Sequence, residues 1–176
     1  MNGKLLSLMM TTIMIASALA GCAGDDVDLD GEDGGYEYAS NVDNHRMLMG
    51  DVCDIKDLSG AYDWDEVSDI YENGKYAEKS DGSYRTLEGF ASASGKNHAY
   101  DTYYGSDGSW DTFVSAAISG TGPFAGESNT VRDQAVEKGI QNGVMTAYAI
   151  HELNAAIIKA EAGNWGADDA QHAWDE

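Results

Sequence analysis

Positive charge is scarce in this chain: ten Lys and Arg stand against 31 Asp and Glu over 176 residues. That balance opposes nucleic acid and anionic lipid, whose phosphates need basic partners. It favours cations, and it equally suits a surface adapted to salty water. Cysteine is nearly lacking, with Cys22 and Cys53 alone. Strand-type alternation of Val, Ile and Thr is absent, which excludes a sheet-built fold. There is no Gly-x-Ser-x-Gly elbow, no phosphate-binding glycine loop and no His-Glu-x-x-His string. Hydrolases of the first kind, nucleotide enzymes and zinc proteases are therefore disfavoured, and the chain reads as a binder rather than an enzyme.

The first residues have their own logic. Lys4 is the one charge before Asp25, and an apolar stretch from Leu5 to Ala20 comes after it. This is shorter than the ~20 apolar residues of a membrane span. It ends in Leu19-Ala20-Gly21-Cys22, small residues and a cysteine placed where a secretory signal is cut. The string resembles the lipobox of bacterial lipoproteins, which implies residues 1–21 as signal and lipidation of Cys22. Ala23 stands after the cysteine where an aspartate would mark inner-membrane retention, which points to the outer membrane. Anchoring would come from the acyl chains, at ~0.8 kcal/mol per buried methylene. Loss of Lys4 leaves nine basic against 31 acidic residues, a formal charge of −22. With Cys22 acylated, the core rather than a disulfide must hold the domain.

Residues 22–46 read as an acidic flexible tether and 47–176 as one domain. Within the tether, Asp26, Asp28, Asp30, Gly31 and Glu37 match a calcium-loop pattern. No helix can enter so close to the lipid, so a solvated spacer is the default reading. Asp63 to Glu66 forms a capping-box start, and Trp64, Val67, Ile70 and Tyr71 recur at helical spacing until Asn73-Gly74. Residues 74–109 read as long loops with short helical pieces. A second helix runs from Trp110 to Ile118. The strongest element spans 130–162, with a cap at Thr130, an apolar stripe from Val136 to Ile158, and Gly163 as its stop. Gly139 and Gly143 inside it suggest close packing or a bend. A last helix begins after Gly166, and the end at Glu176 reads as a helix cut in mid-course. The fold class is mainly α, a helical bundle with long irregular loops.

Two histidine–acid clusters can carry chemistry. His151 shares a stripe with Ile140, Val144 and Ala147, so it should face the bundle, while Tyr148 and Glu152 lie one turn apart. His172, Asp175 and Glu176 are spaced by three and four, so they share a helical face. Facing helices that offer imidazoles and carboxylates are how bundles build metal sites. Carboxylate and phenolate oxygens suit ferric iron; imidazole suits iron or zinc. The plainer alternative is a core histidine satisfied by a neighbour and a solvated helix end.

The strings Asp63-Trp64-Asp65, Ile70-Tyr71-Glu72-Asn73-Gly74, Ser80 to Leu87, Ile150-His151-Glu152-Leu153, Ala162-Gly163-Asn164 and His172 to Glu176 resemble the iron-assimilation proteins of algae, the low-iron-inducible periplasmic proteins and phytotransferrins. The resemblance implies capture of ferric iron outside the cytoplasm, with carbonate as a possible co-ligand, and delivery to an uptake transporter. It also implies a chain that continues past the His172 string. The ligand set expected from the geometry is His151, Glu152, His172, Asp175, Glu176 and Tyr148. Two other readings stay open: an imelysin-like or metal-dependent exported enzyme, and a structural envelope lipoprotein without a ligand.

Overall fold

The computed structural model describes residues 36–95 and 98–176. The signal, Cys22 and nearly all of the calcium-like loop lie outside them. The architecture is helical, as expected, and among the described residues the one β-type pairing is an isolated antiparallel bridge between Glu78 and Tyr84. The elements are α1 (Asp43–Arg46), α2 (Leu48–Ala61), α3 (Trp64–Asn73), α4 (Leu87–Ala91), α5 (His98–Tyr104), α6 (Ser109–Ser119), a 3-10 turn (Gly122–Phe124), α7 (Asn129–Lys138), a π segment (Gly139–Val144), α8 (Met145–Glu161) and α9 (Ala170–Asp175). No helix among these residues is long and apolar enough to cross a membrane.

The core forms where the apolar stripes of α2, α3, α6, α7 and the π segment meet. Leu48, Val52 and Ile55 of α2 face Val67, Ile70 and Tyr71 of α3, and Val114, Val136, Ile140 and Val144 complete the cluster. Asp63 stands at the start of α3, but its side chain makes no capping bond. The N-terminal cap of α7 is Ser128, accepting from Val131 N, and not Thr130. The Asp51 side chain is enclosed on the same stripe of α2. Its Oδ1 accepts from Lys75 N and Tyr76 N, and its Oδ2 has no protein partner. Cys53, also on α2, is disulfide-bonded, where acylation of Cys22 would leave the domain without such a bond.

The π segment explains the two glycines. A Cβ on Gly143 would stand 2.5 Å from Cε3 of Trp110, and one on Gly139 would stand 3.0 Å from Val114 Cγ2. The helix therefore needs bare backbone against α6 here. A one-residue widening of the turn rotates the faces of the next helix, as π-bulges do. Beyond it α8 turns Tyr148 and Glu152 inward, toward α1 and α9.

Candidate metal centre

The last helix supplies the first half of the site. In α9 the i, i+4 spacing brings His172 Nε2 to 2.9 Å from Glu176 Oε1. The second imidazole comes from the other end of the described chain. His45, on the short helix α1, directs its Nε2 to the same oxygen at 2.6 Å. The three ligand-type atoms lie within 4.8 Å of one another. Metal bonds of about 2.1 Å at right angles place neighbouring donors roughly 3 Å apart, so the spacing is compatible with a shared cation. His45 and the Glu176 side chain are nearly closed off from solvent, at 8% and 9% exposure.

Each imidazole is held from behind. His45 Nδ1 is hydrogen-bonded to the Tyr148 hydroxyl, and His172 Nδ1 meets Ser40 Oγ at 2.6 Å. Arg85 is hydrogen-bonded to the same phenol and to Asn44 Oδ1, at 3.0 Å for the latter. Burial lowers the His45 pKa, and the charge of Arg85 lowers it further, against the pull of Glu176. The ring is thus kept neutral, the form that ligates metal. Burial raises the Glu176 carboxyl, but the bond and charge of His45, a bond from Glu152 and the charge of His172 outweigh it and hold it at about 2. Burial also raises the Tyr148 phenol, which stays protonated.

The structure divides the expected ligand set. His172 and Glu176 are in the cluster. Tyr148 lies on the Nδ1 side of His45, so it orients that ring while Nε2 faces the carboxylate. Glu152 is buried and bonded to Glu176. Asp175 turns to the N-terminal segment, accepting from Tyr36 OH at 2.6 Å and from Ala39 N at 2.7 Å. His151 stands beside Phe90, ring centroids 6.2 Å apart, and is not one of the three clustered residues. The residue that sequence reasoning missed is His45. It falls in a stretch whose composition reads as tether, and its one local signal is the buried Val42 three residues before it.

The sequence profile of the family described as low iron-inducible periplasmic protein matches residues 8–176. The chain belongs to that family. No curated protein and no solved structure matches it. Membership bears out the resemblance read from the motifs and makes this an iron-related protein of a family described as periplasmic. Three of the family-like strings contribute to the site: Ser80 to Leu87 contains Arg85, Ile150 to Leu153 contains Glu152, and His172 to Glu176 contains the α9 half.

Proposed function

We propose that this protein captures ferric iron outside the cytoplasm and passes it to an uptake system, acting as a binder and not as a catalyst. The observation that carries this reading is the convergence of His45 Nε2, His172 Nε2 and Glu176 Oε1, with His45 and Glu176 nearly closed off from solvent. An N2O set with a second carboxylate, Glu152, beside it suits iron, and family membership supplies the iron connection. Arg85 provides a positive charge next to the cluster. A carbonate co-ligand would use that charge and add two oxygens to the metal. The low pKa of Glu176 keeps an anion ready for the cation.

Lipid attachment at Cys22 and residence at the outer membrane belong to the same reading, supported by the Leu19 to Cys22 string. Acylation and a disulfide to Cys53 are alternative fates of one sulfur, since Cys22 is the only other cysteine of the chain.

The test is a titration of the full chain with chelated ferric iron, with and without bicarbonate, monitored by calorimetry and melting temperature. Saturable binding that His45→Ala and His172→Ala both remove supports the site. Undiminished binding in both variants ends it. A metal-dependent hydrolytic turnover would favour the enzyme reading instead.

A further inference from the structure

Residues 36–40 run along α9 as a strap. Asp175 holds it at two points, the Tyr36 hydroxyl and the Ala39 amide. The strap places Ser40 Oγ 2.6 Å from His172 Nδ1, on the side of the ring away from Glu176. Glu176, as a carboxylate, only accepts hydrogen bonds. In the empty site His172 Nε2, 2.9 Å from it, must therefore carry the hydrogen. The Nδ1 of a neutral ring is then a bare lone pair, and the Ser40 hydroxyl donates to it.

A bound cation demands the opposite tautomer, because it takes the Nε2 lone pair. We infer that Ser40 is a positioning residue built for both states: its hydroxyl donates to His172 Nδ1 when the site is empty and accepts from Nδ1–H when it is loaded. The proton count balances. On loading, the Nε2–H bond breaks and an Nε2–metal bond forms. Nδ1 gains one proton through solvent, so the ring remains neutral. The hydroxyl hydrogen swings away toward water, which the half-exposed Ser40 can reach. A backbone carbonyl or a carboxylate at this position could serve only the loaded state, and an amide N–H only the empty one. The proposal rests on the metal reading for its second half and on hydrogen-bond geometry alone for its first.

The experiment is long-range proton–nitrogen NMR on the histidine-labelled full chain at mildly alkaline pH. It compares the wild type, Ser40→Thr and Ser40→Ala, empty and with gallium(III) as a diamagnetic stand-in for ferric iron. The empty wild type should show His172 as Nε2–H and the loaded protein as Nδ1–H, and Ser40→Thr should reproduce both. Ser40→Ala should keep both tautomers, which Glu176 and the metal set, but shift the His172 Nδ1 resonance through loss of its hydrogen bond and bind ferric iron roughly 10–100-fold more weakly, the usual loss when a partner behind a ligand is removed. A Ser40→Ala protein identical to wild type in Nδ1 resonance and affinity overturns the inference, as does a metal-free wild type in the Nδ1–H form. If the wild type takes up no metal while Ser40→Ala still shifts the Nδ1 resonance, the metal reading and the loaded half fall together, and the orienting role of Ser40 stands.

Discussion

His45 Nε2 stands 2.6 Å from Glu176 Oε1, joining the first short helix of the described chain to its last residue. This contact makes His45, and not His151, the histidine whose loss should matter. His45→Ala should lower ferric affinity by at least roughly tenfold, the scale of one good ligand or its support. His151→Ala should leave affinity within a few-fold of wild type, because its ring packs at Phe90. Parallel titrations of the two variants check this; equal losses would contradict it.

Tyr148 lies behind His45 and not at the point of convergence. Ferric loading should therefore give no strong tyrosinate–iron absorption band that depends on Tyr148. Tyr148→Phe should keep the visible spectrum of the loaded protein while weakening binding through a less firmly held His45. Loss of a charge-transfer band in Tyr148→Phe would make Tyr148 a ligand after all.

Asp51 sets a stability trend with pH. Burial raises its carboxyl from the ordinary 3.8 to about 6, against two backbone N–H bonds that lower it. The folded state then holds its proton more tightly than the unfolded chain. This contribution is complete below pH 3.8 and is lost as pH rises through about 6. A rise from 3.8 to about 6 corresponds to at most roughly 3 kcal/mol. Asp51→Asn keeps an oxygen for Lys75 N and Tyr76 N, so it should flatten that decline and raise stability at neutral pH. Urea melts across the interval measure it, and an unchanged slope refutes the assignment.

The π segment makes a paired prediction. Gly143→Ala drives a methyl into the Trp110 ring, 2.5 Å from Cε3. It should cost about 1–3 kcal/mol, as overpacking does. Gly60→Ala, in α2 with nothing within 4 Å of its new Cβ, should stabilise by roughly 0.5 kcal/mol through helix propensity. Thermal melts of both variants test the contrast.

Intact-mass spectrometry of the protein from membranes decides the fate of Cys22. Acylation adds the mass of a diacylglyceryl group and leaves Cys53 to react with a maleimide. A disulfide to Cys53 leaves neither adduct until reduction.

Much of the helical framework is legible in the sequence because amphipathic periodicity is a local property. Trp64 to Tyr71 and Trp110 to Ile118 fall on α3 and α6. The long stripe from 130 to 162 falls on α7, the π segment and α8. Gly139 and Gly143 stand out in that stripe, although the ring that demands a bare Gly143, Trp110, lies on another helix. The periodicity misses α2: Gly50 and Asp51 interrupt the stripe of Leu48, Val52 and Ile55, and only burial of Asp51 restores it. In the site, the His172–Glu176 pair is readable, since i, i+4 neighbours meet in any helix.

Sequence alone determined the charge, the helical class and the α9 half of the centre, because each depends on composition or on neighbours within a few residues. Tertiary structure decided which second imidazole meets Glu176. It turned Asp175 to the strap and placed Ser40 and Tyr148 behind the two rings. Those choices depend on how α1, α8 and α9 pack, and packing joins residues far apart in the chain, such as Ser40 and His172 at a separation of 132 positions.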